Sequence, residues 1–277
     1  VNPASPAGST PAPKKSLGQH FLFDRRLLAR IVEGAGVEAG HAVLEIGPGP
    51  GGLTRALLEA GARVWALEAD PRMLEHLRAQ EWATGDLHLL EGDALEADYG
   101  ALAAEAGGGV RLVANLPYNI SGPLLARLLA QRRAFVSLTV MLQREVAERL
   151  AAPPGTRARG RLGVMTQAFC TVSTLFRVPA GAFRPPPKVE STVLRLDVLA
   201  EPIAPLADEG TLWEAVRVGF GQRRKMLRNA LAGLGLPVDE LLAGTGLSGT
   251  ERAEDLTADA WIAVANAAAR LRQGGGE

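Results

Sequence analysis

Apolar positions in this chain follow two rhythms that take turns. After Asp24, the stretch RRLLARIVEGAG places Leu27, Leu28, Ile31 and Val32 at helical spacing and stops at Gly34 and Gly36. A short apolar run, HAVLEIG, then breaks into GPGPGG and gives way to LTRALLEAG, helical in period and closed by a glycine. RVWALEAD reads as a strand, PRMLEHLRAQ as a helix with Pro71 in its first turn, and LHLLEGDAL as a further strand. The alternation continues through the strand VRLVAN, the helix SGPLLARLLAQ, the strand AFVSLTVML and the helix QREVAERLAA. Strands alternating with helices predict a mostly parallel sheet covered on both faces, an α/β fold.

Further on, the pattern changes. TVSTLFRVP and STVLRLDVL are β-rich runs flanking the proline-studded AGAFRPPPKVE, and they predict an antiparallel pair closing one edge of the sheet. AEPIAPLADEG reads as a hinge, and from Leu212 onward the chain breaks into short helices: WEAVRVGF, RRKMLRNALAGL, VDELLAG and ADAWIAVANAAARL. The expected organisation is a Pro/Ala/Ser/Gly tail over 1–13 too poor in apolar residues to order, a sheet-bearing domain over 14–200, and a small all-α domain over 201–277, frayed at 274–277. KKSLGQHFLFD, just before the first helix, fits neither kind of segment, being too mixed for a core strand and too aromatic for a linker.

Composition narrows the class. The 277 residues carry no net charge, with 30 basic and 30 acidic side chains, but the signs are segregated. Residues 31–110 are strongly acidic, whereas Arg157, Arg159, Arg161, Arg177, Arg184, Lys188 and Arg195 face a lone Glu190 over 153–195. A second basic knot, GQRRKMLRN, gathers Arg223, Arg224, Lys225 and Arg228. Such segregation predicts a basic face for a polyanion, which the overall charge hides. A single cysteine, Cys170, excludes a disulfide framework and a cysteine-based metal site, so no metal is expected and a reducing compartment fits. With no basic start leading into an apolar stretch and no run approaching about 18 apolar residues, a soluble cytoplasmic protein is expected.

Candidate chemistry centres on two loops. Gly47, Gly49 and Gly52 form G-x-G-x-x-G between a strand and a helix, and Glu68 follows near the end of the next strand. Glycines let the backbone approach a ligand, the helix start offers free N–H groups, and a strand-end carboxylate accepts ribose hydroxyls. This spacing suits a dinucleotide as well as S-adenosyl-L-methionine. The surrounding LEIGPGPGGLT, with Glu45 before it and Pro48 and Pro50 within it, resembles the first motif of class I methyltransferases. In that fold an acid at the tip of the third strand reaches the adenine of the cofactor, which points to Asp93 in EGDAL; the competing reading of Asp93 is a turn cap.

NLPYN follows the fourth strand, and Asn115-Leu116-Pro117-Tyr118 resembles the signature of enzymes that methylate an exocyclic amino nitrogen. The lone pair of adenine N6 is delocalised into the ring and attacks poorly. If the Asn115 oxygen and the adjacent backbone carbonyl accept the two amino hydrogens, the nitrogen turns tetrahedral, with its lone pair toward the methyl donor. Pro117 holds that carbonyl without adding a donor, and Tyr118 offers a stacking face. A base inside a stacked duplex is out of reach, so a flipped or looped-out adenine is implied.

KKSLGQHFLFD, LEIGPGPGGLT, ALEAD, EGDAL, NLPYNISGPLL and FRPPPKVES occur in the order of the ribosomal RNA adenine N6,N6-dimethyltransferases, which the chain resembles over about residues 14–272. The resemblance implies a Rossmann-like class I methyltransferase fold with a helical C-terminal domain that helps bind RNA. It implies S-adenosyl-L-methionine as cofactor and 16S ribosomal RNA in the small subunit as partner, with a monomer acting on two adjacent adenosines near the RNA 3′ end. Carried over by motif, the cofactor contacts are His20, Leu22, Gly47, Glu68, Asp93 and Asn115, with His20 standing where the family usually has Asn. Phe183 matches a second aromatic residue that sandwiches the target base against Tyr118, unless it only anchors the proline loop on the core. RNA phosphates fall to Arg157, Arg159, Arg161, Lys188, Arg223, Arg224, Lys225 and Arg228. The rival readings are a 23S adenine N6-methyltransferase of the macrolide-resistance type, a nicotinamide-dependent oxidoreductase and a non-catalytic ribosome assembly factor.

Overall fold

Seven strands form one sheet: in chain order β2 (Ala42–Ile46), β3 (Arg63–Glu68), β4 (Leu87–Glu91), β5 (Val110–Asn115), β6 (Phe135–Gln143), β7 (Cys170–Val178) and β9 (Ser191–Val198). Across the sheet they lie in the order β4-β3-β2-β5-β6-β9-β7. Two further strands of two residues each, β1 (Phe21–Leu22) and β8 (Phe183–Arg184), make a separate ladder. The computed structural model describes residues 10–14, 18–83 and 85–274. Of the tails expected to be disordered, residues 1–9 and 275–277 lie outside the described residues, as do Lys15, Ser16 and Leu17 of the opening motif.

β2 through β6 run parallel, joined by α2 (Gly52–Glu59), α3 (Pro71–Arg78), α4 (Tyr99–Glu105) and α5 (Ser121–Ala130). Every residue of β2 is buried, as a central strand covered on both faces requires. From β2 the chain winds outward to β3 and β4, then returns to lay β5 against the other side of β2. That reversal opens a crevice beyond the carboxyl ends of these strands, where ligands of doubly wound sheets bind. β9 pairs antiparallel with β6, β7 lies outside it as the edge, and α6 (Arg144–Ala151) follows β6 in the chain. α1 (Arg25–Gly34) packs its Leu28, Ile31 and Val32 stripe, with Leu53 and Leu57 of α2, over Val43, Val64 and Val113 of the sheet. Asp24 starts α1 by accepting the N–H groups of Arg26 and Leu27.

The chain divides into two compact units. The first comprises residues up to 147 together with 173–198, and the second comprises 148–172 together with 199–277. Within the second unit, α7 (Arg161–Phe169) joins α8 (Glu209–Gly221), α9 (Leu227–Leu231), α10 (Val238–Leu242) and α11 (Ala258–Gly274). Two helices escape a reading by periodicity. α4 consists mostly of alanine and glycine, and α7 passes into β7 at Cys170 with no Gly or Pro between them. RRKMLRNALAGL, expected as one helix, is helical only over Leu227–Leu231, with a 3₁₀ turn at Ala232–Leu234. Crowded like charges oppose a helical turn over 223–225, and the Arg223 guanidinium instead donates to the carbonyls of Arg157 and Arg159.

Among the described residues, no helix is long and apolar enough to cross a membrane. The helical unit closes around the fully buried Trp261 of α11, whose ring occupies the space a methyl group on Gly219 of α8 would need. Gly219→Ala is therefore expected to destabilise the protein by about 1–3 kcal/mol through overpacking, read as a lower midpoint in urea at unchanged slope.

Candidate active site

The carboxyl ends of β2, β3, β4 and β5 border one cavity. Its walls are the glycine loop, Leu67–Ala69, Gly92–Leu95, Asn115–Ile120 and the incoming strap Gly18–Phe21. His20, Gly47, Glu68, Asp93 and Asn115 from the sequence reading all line it. Leu22 does not. Its side chain is buried in the core cluster and its backbone pairs with Phe183, while the adjacent Phe21 takes the place on the wall. Leu22 instead borders, together with Phe21, Gly47 and Asn115, a second pocket.

The glycine loop is built for close approach. Gly49 has φ +53°, and a Cβ there would stand 3.0 Å from the Phe21 ring that covers it. Its N–H donates to Oε2 of Glu68 at 3.1 Å, and Oε1 of Glu68 accepts the N–H of Asp70 at 2.9 Å. Burial raises the Glu68 pKa, and these N–H donors oppose that shift in favour of the carboxylate. Glu68 thus braces the loop from the strand end where a ribose carboxylate partner is needed. The loop, the α2 start behind it and this acid together fit a nucleoside-bearing cofactor.

Asp70 joins the strap to this frame. It accepts from Lys14 at 3.2 Å and from Arg72 at 2.6 Å, and the Arg72 guanidinium above all holds its carboxyl at about 2. Asp93 lines the cavity and also closes its own turn, Oδ1 accepting the N–H of Leu95 at 2.8 Å.

At the end of β5, Asn115 Nδ2 donates to the carbonyl oxygen of His20 at 3.0 Å. A carbonyl only accepts, so the bond sets which way the amide faces and leaves Oδ1 as an acceptor beside the cavity. The Leu116 side chain is buried, and its N–H donates to Met141 O. The Pro117 carbonyl is engaged by Ile120 N–H at 3.3 Å. Tyr118 lines the cavity with its hydroxyl bonded to that of Ser191, and burial pushes its pKa up, so the phenol stays protonated.

Phe183 is 1% exposed, lies in the core cluster with Leu22, Val178 and Val193, and sits in the β1–β8 pair beside the proline loop. The Arg159 side chain is buried as well. It is 0% exposed, and its guanidinium donates to the carbonyls of Leu256 and Ala152 and to Gln167. Arg161, Lys188, Lys225 and Arg228 are exposed, Arg228 within 3.4 Å of Asp239. Arg157, Arg223 and Arg224 share one polar cleft of the helical unit with Thr250, Arg252, Glu254 and Asp255, and the sequence reading missed Arg252 because it lies outside both basic runs. No group of three His, Cys, Asp or Glu side chains among the described residues is placed to hold a metal.

Residues 12–270 match the family model described as ribosomal RNA adenine dimethylase. The chain is 49% identical to the "Ribosomal RNA small subunit methyltransferase A" of Rhodospirillum rubrum, over 92% of this chain and 87% of the relative. It is 42% identical to the protein of the same name from Xylella fastidiosa, over 94% and 97%. Among solved structures it is similar to a dimethyladenosine transferase from Plasmodium falciparum, with TM-score 0.74 and 26% identity over 88% of this chain and 96% of that one. It is also similar to the 23S rRNA methyltransferase ErmE, with TM-score 0.70 and 26% identity over 90% and 99%.

Glu45, seen in the sequence only as part of a motif, is the most perturbed acid beneath the loop. It is 2% exposed with Oε2 unbonded among the described residues, and burial pushes it up to about 8. An acid held neutral in the fold supports stability below its unfolded pKa near 4.5, and that support drains as pH rises through 8. Glu45→Gln is expected to remove a loss of about 1.4 kcal/mol per pH unit across this window, measured as a flatter pH dependence of urea unfolding than in wild type.

Proposed function

The chain belongs to the ribosomal RNA adenine dimethylase family, and we propose that it dimethylates N6 of two adjacent adenosines near the 3′ end of 16S ribosomal RNA, using S-adenosyl-L-methionine. The observation that carries this reading is the Asn115 amide, whose Nδ2 is committed to His20 and whose Oδ1 remains to accept from an incoming amine. The Leu116 carbonyl is the second acceptor, since Pro117 O is engaged by Ile120. With both N6 hydrogens drawn into these bonds, the lone pair is freed from the ring and aimed out of its plane.

Gly47, Gly49, Glu68 and Asp93 would hold the cofactor. When bound, S-adenosyl-L-methionine supplies a methyl group on a positively charged sulfur. Tyr118 stacks on the base and, being protonated, takes no proton from it. No base at the site is required, because the amine releases its proton to water after the nitrogen has gained a substituent.

The small-subunit RNA is preferred to 23S because relatives 42–49% identical carry a small-subunit name, against 26% identity to the 23S enzyme. An oxidoreductase would leave the Asn115–Tyr118 geometry without a purpose. An assembly factor lacking catalysis would not need an amide held in one orientation. The arginine cleft of the helical unit grips phosphates, with Lys225, Arg228, Arg161 and Lys188 contributing outside it.

Asn115→Ala is expected to slow methyl transfer on the order of 100-fold in single turnover, with cofactor affinity by calorimetry changed far less. Unchanged transfer would remove the mechanism. Arg224→Ala is expected to weaken RNA binding uniformly across sequences and to lower the slope of log affinity against log salt by about 1, read from filter binding at several ionic strengths.

A further inference from the structure

One tie on the Asn115–Tyr118 loop joins two hydroxyl groups 73 residues apart, that of Tyr118 being bonded to that of Ser191. We propose that Ser191 is a positioning residue for methyl transfer, which fixes the tilt of the Tyr118 ring and through it the approach of the adenine amino group to Asn115. The inference rests on the proposed function above and adds to it a residue that lies outside the cavity wall.

The sheet explains why so distant a serine meets this loop. Asn115, Met141 and Val193 lie in one row across β5, β6 and β9. Because β9 runs antiparallel to β6, its first residue, Ser191, stands opposite Gln143, the last residue of β6. That is the end of the sheet at which β5 also finishes and the cavity opens. The chain leaving β5 follows the same edge, with Leu116 N–H still donating to Met141 O at 3.2 Å, and brings the phenol to the serine. Ser191 is 0% exposed and paired in the ladder, so its hydroxyl has a fixed place. The sequence shows it only as the last residue of FRPPPKVES, with nothing to link it to NLPYN.

A tyrosine ring turns about two side-chain torsions, and a stacking face is defined only when both are set. The Tyr118 carbonyl accepts from the Ser121 hydroxyl at 3.2 Å, which holds the near end of the residue. Ser191 holds the far end. A ring pinned at both ends keeps one plane. Stacking alone lets a base slide and rotate over a ring, whereas transfer needs N6 held at the Asn115 oxygen in one orientation. The serine thus contributes to aim and not to affinity, because a ring without its hydroxyl tie still offers a face.

The test uses Ser191→Ala, Ser191→Thr and Tyr118→Phe in the full chain, with an RNA hairpin bearing the target adenosines. Ser191→Ala is expected to slow single-turnover methyl transfer about tenfold, with the Kd for RNA and for S-adenosyl-L-methionine each within about twofold of wild type. Tyr118→Phe keeps the ring and removes its hydroxyl, so it should show the same loss, and the double variant should fall no further than either single one. Ser191→Thr, which retains a hydroxyl, should restore transfer; should its added methyl group unfold the protein, the comparison of single and double variants decides. A 2-aminopurine at the target position should be quenched equally by wild type and Ser191→Ala, since the base still reaches the ring. Unchanged transfer in Ser191→Ala, losses that multiply in the double variant, a folded Ser191→Thr without rescue, a lost quench, or a fall in RNA or cofactor affinity as large as the fall in rate would each overturn the assignment. Wild-type protein that never methylates adenine N6 would instead defeat the functional reading; methylating wild type beside an indistinguishable Ser191→Ala would defeat this inference alone.

Discussion

One hydrogen bond organises the site: the Asn115 amide nitrogen on the carbonyl of His20. An asparagine at a strand end can turn either way, and only one way leaves an oxygen for an amine to donate to. The strap that supplies the carbonyl reaches the sheet from far along the chain, His20 meeting Pro185 across 165 residues. Three ties bring it there: Lys14 on Asp70, Phe21–Leu22 on Phe183–Arg184, and the Phe21 ring over Gly49. Each tie also lies against a part of the cofactor pocket. The geometry of the amide is therefore linked to the integrity of the glycine loop and the ends of β2 and β3.

The same pocket manages its charge by burial and hydrogen bonding. Glu68 is drawn toward the ionised form by two backbone N–H groups although burial opposes it, and Asp70 is held ionised by Arg72. Glu45 beneath them has an oxygen with no hydrogen-bond partner among the described residues, and it stays neutral. Three acids within one loop region thus divide between bracing, tying and filling. Repulsion among them is avoided because they are not all charged at once.

Much of this was legible in the sequence because it depends on local pattern. The alternation of periods marks the parallel sheet, glycine placement marks the loop, and N-L-P-Y after a buried run marks the strand end that carries it. What escaped was non-local. The pairing of β1 with β8 joins segments whose own patterns say nothing of each other, and it decides that Phe183 and Leu22 belong to the core while Phe21 and His20 face the cavity. Arg159 looked like its neighbours in a basic run, yet its guanidinium satisfies buried carbonyls of the helical unit. Arg252 was hidden because a cleft gathers residues by space and not by sequence.

The most direct test is a structure of the protein with a cofactor analogue and an RNA hairpin bearing the target adenosine. The account predicts N6 of a flipped adenine within about 3 Å of the Asn115 oxygen, a hydrogen-bond distance, with the amide nitrogen still on the strap. An adenine that meets the amide through its nitrogen, or one bound away from the end of β5 altogether, would contradict it.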